Sequence, residues 1–204
     1  MKPRIKFCGF TRIEDVHAAV ALGVDAIGVN LARGPRKIDV EHARELVHVL
    51  PPFTTAVGLF VDAPESEILA AVRDARLQAV QLHGDESPEL AANLRQHVSV
   101  IKAFRIATAA DLARIRGYPA DAYLLDAAVS GQHGGTGVAW DWSLLTDIDL
   151  GAPIILAGGL RPDSVAAAIR ATAPWAVDVS SGIESTPGVK NTVQMAAFVA
   201  AVRE

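Results

Sequence analysis

Cys8 is the single thiol of the chain, and it ends a short apolar run, Ile5-Lys6-Phe7-Cys8, just before Gly9 and a helix start near Thr11. A thiolate can act as a base or a nucleophile once its pKa falls, and Lys6, two positions earlier on the same strand face, can help. The competing reading is a small buried hydrophobe. Asp126 ends a second apolar run, Leu124-Leu125-Asp126. A partly desolvated carboxyl there can serve as a general acid, and its plain alternative is a turn cap. Two further segments carry chemistry of another kind, Leu156-Ala157-Gly158-Gly159-Leu160 and Asp178-Val179-Ser180-Ser181-Gly182. Glycines let a backbone approach an anion closely, and Ser180 and Ser181 add hydroxyl donors. Each of these alone also reads as a tight turn; as consecutive strand ends, the two favour a phosphate site.

These residues need elements that bring them together. Eight short β-rich runs are present: Ile5–Gly9, Ala26–Leu31, Thr55–Val61, Ala79–His83, Val100–Arg105, Ala122–Ala127, Pro153–Gly158 and Ala176–Ser180. Amphipathic stretches such as Pro64–Arg76 and Ser164–Ala171 separate them. Helix starts are marked by a capping-box pattern at Thr11 and Glu14, by Asp39, by Ser87-Pro88, by Thr108 with Asp111, and by Asn191 with Gln194. Gly23 is placed to close the first helix. Strands recur roughly every 20–30 residues, the length of a βα unit, and strict alternation predicts a parallel sheet. Eight units can close into a (β/α)8 TIM barrel or spread as an open doubly wound sheet. The open sheet usually has a Gly-rich dinucleotide loop after its first strand, and Cys8-Gly9-Phe10-Thr11 lacks that pattern. With no linker or composition break, one α/β barrel domain over 1–204 is expected, with its site at the C-terminal strand ends.

Alternation along each strand predicts the inward side chains. They are Lys6 and Cys8, Gln81 and His83, Lys102 and Phe104, Leu124 and Asp126, and Asp178 and Ser180. Polar groups facing inward are tolerated when they meet one another, so Lys6, Lys102 and Asp178 read either as part of a site or as structural pairing.

Bulk properties exclude several roles. The 204 residues are half apolar, and the net charge of −4 argues against a nucleic-acid or membrane-surface binder. One cysteine excludes an internal disulfide and a Cys-rich zinc site, and the six histidines are scattered without metal spacing. His83, at a strand end, reads as a substrate contact or local donor. The N-terminus lacks a signal-peptide pattern and no apolar run approaches the ~20 residues of a span, so a cytoplasmic protein is expected. A monomer and a homodimer both fit. Gly134-Gly135-Thr136-Gly137 reads as a lid or as a plain connection.

Taken in order, these segments resemble the phosphoribosylanthranilate isomerases of tryptophan biosynthesis. The resemblance rests on Lys6-Phe7-Cys8-Gly9-Phe10-Thr11, Gly34-Pro35-Arg36, Gln81-Leu82-His83-Gly84-Asp85-Glu86, Leu125-Asp126 and Gly134-Gly135-Thr136-Gly137 with Asp141-Trp142. It continues through Leu156–Leu160, Asp178–Glu184 and Pro187-Gly188-Val189-Lys190, and so covers nearly the whole chain. It implies an Amadori rearrangement of a small phosphorylated substrate, with no cofactor or metal. Asp126 matches the family's general acid and Cys8 its general base. Arg36 matches the holder of the anthranilate carboxylate, a group suited to a planar guanidinium. Gly158, Gly159, Ser180, Ser181 and Gly182 match the phosphate grip, and His83 and Asp178 match positions lining the sugar. Phe10 stands where an aliphatic residue is usual, and Asn30-Leu31-Ala32-Arg33-Gly34 departs from the more aromatic family version. Indole-glycerol-phosphate synthases and histidine-pathway sugar isomerases lack the Cys-Gly-x-Thr start. A non-catalytic sugar-phosphate binder has no need of Cys8 and Asp126 together.

Overall fold

The eight apolar runs form strands that pair in parallel with their sequence neighbours and close on themselves. A computed structural model describes residues 2–106, 108–113, 115–127 and 149–204. The strands are β1 (Arg4–Cys8), β2 (Ala26–Asn30), β3 (Thr55–Phe60), β4 (Ala79–Leu82), β5 (Ser99–Ile106), β6 (Ala122–Ala127), β7 (Ile154–Ala157) and β8 (Ala176–Val179). Their ring order is β1 through β8, and β1 pairs with β8 to close the barrel. The helices are α1 (Ile13–Ala21), α2 (Val40–His48), α3 (Glu65–Ala75), α4 (Pro88–Leu94), α5 (Ala109–Ala113), α6 (Val165–Thr172) and α7 (Thr192–Arg203). A hairpin of β9 (Glu184–Thr186) and β10 (Val189–Lys190) stands between β8 and α7. This is the expected (β/α)8 barrel.

Two apolar layers hold it. The inner one is small, with Ala103, Ala122, Leu124, Ile155, Ala157 and Ala176 filling the barrel. The outer one lies between strands and helices and includes Phe7, Ile27, Leu82, Leu125, Leu156 and Phe198. Several helix starts form as their residues predict. Asp39 accepts from the His42 amide at 2.8 Å, Ser87 from Leu90, and Asn191 from both Val193 and Gln194. Thr11 does not. Arg12 is the N-cap of α1, and the Thr11 hydroxyl donates instead to the Gly188 carbonyl oxygen at 2.6 Å. The capping-box pattern was local, and the hairpin after β8 outcompetes it.

The inward reading of β5 is also corrected. Ile101 and Ala103 face the barrel, so Lys102 and Phe104 face outward. Phe104 packs edge-on against Tyr118 and Tyr123. Lys102 is buried on that side and pairs with Glu86 at 2.8 Å. A buried lysine in a strand suggested the polar interior, but a carboxylate in the β4–α4 loop satisfies it from outside. Lys102 is therefore separate from Lys6 and Asp178.

Candidate functional site

β1 and β8 place Lys6 beside Asp178 in register, both facing inward. The Lys6 ammonium donates to Asp178 Oδ1 at 2.7 Å, and both side chains are largely withdrawn from solvent. Cys8 sits one turn of the pleat above Lys6, also buried, opposite Gly28 of β2. A Cβ at Gly28 would lie 2.8 Å from the Cys8 sulfur, so glycine there makes the room that the thiol occupies. Burial pushes the Cys8 thiol up, and the neighbouring Lys6 ammonium pulls it back towards the thiolate. Burial alone would lower Lys6, but Asp178 and Cys8 beside it carry the ammonium above the usual lysine range.

Above Cys8 lies an ion network. Arg36 donates to both oxygens of Glu184, from Nε at 2.8 Å and from Nη2 at 2.6 Å. Lys190 donates to Glu184 at 2.8 Å and also to the carbonyl oxygen of Cys8. Burial would raise the Glu184 carboxyl, but Arg36 and Lys190 together hold it below the usual carboxylate range. The arrangement leaves the Nη1–Nη2 edge of Arg36 for a second carboxylate, since Glu184 occupies the Nε–Nη2 side. Arg36 reaches this position across Gly9, whose φ is +82° and where a Cβ would strike the arginine stem and approach Ser180 Oγ at 3.0 Å. In the sequence, Glu184 and Lys190 stand out only as members of motifs. They are cross-strand partners of the β9–β10 hairpin, and the intervening Pro187-Gly188 turn is the signal that would have paired them.

On the other side of the mouth, Asp126, the penultimate residue of β6, has a half-buried side chain. His83 Nε2 lies 3.6 Å from Asp126 Oδ2, and His83 Nδ1 is 2.8 Å from the Gln81 amide nitrogen. Around the ring, β7 and β8 lie between β6 and β1, so the glycine and serine loops stand between Asp126 and Cys8. Gly158 and Gly159 both have positive φ, +86° and +65°. Gly182 lies so close to the Leu160 carbonyl oxygen that a Cβ there would collide with it. The two loops are thus packed on one another. A cavity of about 750 Å³ opens at the β3–β5 side, away from these two loops, lined by Arg33, His83, Lys102, Arg105 and Tyr118 among others. Tyr118 is pushed up to about 12 by burial and by Glu86, so it keeps its proton, which it donates to the Glu86 and Ser87 carbonyl oxygens. Gly134–Gly137, Asp141 and Trp142 lie outside the described residues. Among the described residues no group of His, Cys, Asp and Glu has the arrangement of a metal site.

The structure therefore brings the sequence-predicted residues together in two groups. Cys8, Asp178, Arg36 and Ser180 cluster at β1 and β8, and His83 joins Asp126 across the mouth. The family model for N-(5'phosphoribosyl)anthranilate (PRA) isomerase matches residues 5–201. The chain belongs to this isomerase family. It is 48% identical over 203 residues to the N-(5'-phosphoribosyl)anthranilate isomerase of Pseudomonas aeruginosa (strain LESB58), covering 98% of this chain and 95% of that one. The crystal structure of phosphoribosyl anthranilate isomerase from Thermotoga maritima superposes with a TM-score of 0.94 at 37% identity, covering 98% of each chain. A further structure of the isomerase, in complex with reduced 1-(o-carboxyphenylamino)-1-deoxyribulose 5-phosphate, has a TM-score of 0.90 at 36% identity and the same coverage. As a phosphoribosylanthranilate isomerase family member, the chain is an isomerase of tryptophan biosynthesis.

Proposed function

We propose that the chain converts N-(5-phosphoribosyl)anthranilate to 1-(2-carboxyphenylamino)-1-deoxyribulose 5-phosphate, with Asp126 as general acid and Cys8 as general base. The observation that carries this is the ring order. Asp126 on β6 and Cys8 on β1 flank the two loops, after β7 and β8, to which this reading assigns the phosphate. A sugar phosphate gripped by Gly158, Gly159, Ser180, Ser181 and Gly182 then lies with its ring between acid and base. Asp126 gives its proton to the ring oxygen as the C1–O bond breaks, leaving a hydroxyl and a protonated imine. The imine acidifies the C2 proton, which Cys8 removes, and the resulting enolamine tautomerises to the ketone. Lys6 and the cationic imine both favour the thiolate during that step. Arg36, held by Glu184, turns its open edge to the anthranilate carboxylate. Asp178, through Lys6, and His83, beside Asp126, line the sugar.

The reading places the enzyme in the cytoplasm, where a phosphorylated intermediate is retained. Among the described residues no helix is long and apolar enough to cross a membrane.

The test is the loss of substrate fluorescence with freshly made phosphoribosylanthranilate. Cys8→Ala and Asp126→Asn are each expected to lower kcat by roughly a hundred- to ten-thousand-fold, the usual worth of a positioned acid or base. Arg36→Ala is expected to act mainly on KM. A wild-type chain that consumes no substrate above the spontaneous rate would mark a sugar-phosphate binder, and either acid/base variant near wild-type rate overturns its assignment.

A further inference from the structure

Gln81 carries an anomaly that the proposed reaction does not use. Its side chain points into the barrel from β4, 1% exposed, between Leu59 of β3 and Ile101 of β5. The Oε1 atom has no hydrogen-bond partner among the described residues, while Nε2 lies 2.8 Å from His83 Nδ1. A buried amide can be turned by half a rotation, so its orientation is decided by what each choice leaves unpaired. As it stands, Oε1 is unpaired and Nε2 has one partner for its two N–H groups. Turned, the amide would place both N–H donors where Oε1 now finds no partner, the worse outcome, since orphaned buried N–H groups are rarer than under-satisfied carbonyl oxygens. The Gln81 amide therefore donates to His83 Nδ1. A nitrogen that accepts carries no proton, so the neutral imidazole bears its proton on Nε2, facing Asp126.

We infer that Gln81 is a positioning residue for the acid: through His83 it decides which oxygen of Asp126 carries the catalytic proton. This rests on the reading of Asp126 as the acid. With Nε2–H on the side of Oδ2, the unprotonated carbonyl oxygen is the better acceptor there, which favours the acid's proton on Oδ1, away from His83. When Oδ1 gives its proton to the sugar ring oxygen, the carboxylate left behind receives the His83 N–H bond on Oδ2. At 3.6 Å the two atoms stand beyond hydrogen-bond distance in the free site, and the bond forms only as negative charge develops on Asp126, which is the condition for lowering a barrier rather than merely binding substrate. An imidazole protonated on Nδ1 would reverse this. Its bare Nε2 would draw the acid's proton onto Oδ2 and hold it there.

The experiment is long-range ¹⁵N–¹H correlation of the labelled wild-type enzyme, with the His83 signals assigned by their loss in His83→Gln. Protonated Nε2 and bare Nδ1 are expected for the neutral ring. Gln81→Leu removes the donor; it is expected to release the ring to a mixture of tautomers and to lower kcat roughly tenfold, the worth of one hydrogen bond, with little change in KM. If that variant does not fold, Gln81→Met is expected to act in the same way. A wild-type ring protonated on Nδ1 overturns the inference, as does a folded Gln81 variant whose tautomer changes at full kcat. Failure of the acid assignment is separate: it shows as an active Asp126→Asn, whatever the spectrum.

Discussion

Lys6, Cys8 and Asp178 share one buried space, and their charges are not independent. The Lys6–Asp178 pair is neutral overall, so a thiolate at Cys8 adds a negative charge to a region withdrawn from water, offset only in part by Lys6 and Lys190. Burial therefore keeps Cys8 a thiol in the free enzyme at neutral pH, with its titration above the ordinary value of 9.0. The profile of kcat/KM against pH reports the free enzyme's groups. It is expected to keep climbing on the alkaline side as the thiolate fraction grows. Lys6→Met removes the nearest cation and is expected to push that climb to higher pH. Stopped assays across the range check it, and a wild-type plateau already reached below about pH 8, under the ordinary thiol range, would contradict the burial argument. The placement of Cys8 and Asp126 at C-terminal strand ends was legible in the sequence because each ends an apolar run in an alternating chain. That of Glu184 and Lys190 was not, because their partners, Arg36 and the Cys8 carbonyl, are distant in sequence and meet only when β1 and β8 close the ring.

At the scale of elements, the apolar runs mark the eight barrel strands to within a residue or two, but the pattern along β5 points to the wrong face. Lys102 fits a polar interior by residue type, and Phe104 shares its face; the pattern along one strand cannot show that Glu86 and the Tyr118 ring are waiting outside. The capping box at Thr11 failed for a related reason, since a local pattern yields when a tertiary partner, the Gly188 carbonyl, competes for the same hydroxyl. The loops after β7 and β8 show the reverse case, where a sequence reading gains a physical cause. Gly182 was expected to approach an anion; it also has to clear the Leu160 carbonyl oxygen of the neighbouring loop. Gly182→Ala is expected to force the two loops apart, destabilising the fold by about 1–3 kcal/mol, the range of a small overpacking, and raising KM for the phosphorylated substrate. Thermal unfolding and steady-state kinetics on the one variant test both halves. A stable variant with unchanged KM would show that the loops do not depend on this contact.

Over the whole molecule, catalysis and closure are carried by different layers. The inner layer of small side chains leaves polar groups at the strand ends free to meet substrate. The outer layer, where helices pack on strands, holds the ring shut. The closing seam joins the first and last elements of the chain. β1 pairs with β8, the Phe7 ring of β1 meets Phe198 of α7 edge-on at 5.8 Å, and Arg203 donates to the Gly23 carbonyl oxygen beyond α1 at 2.7 Å. Both phenylalanines are fully buried. Neither faces the mouth, because Phe7 lies between the inward residues Lys6 and Cys8 and so points the other way. Phe198→Ala is therefore expected to destabilise the protein by about 3–5 kcal/mol, a drop in Tm on the order of 10 °C for a chain of this length, while kcat at 25 °C stays near wild type. Calorimetry and the fluorescence assay on the same preparation decide it. A large fall in kcat without a fall in Tm would mean that the seam and the site are one structure, and that Cys8 depends on the outer layer for its position.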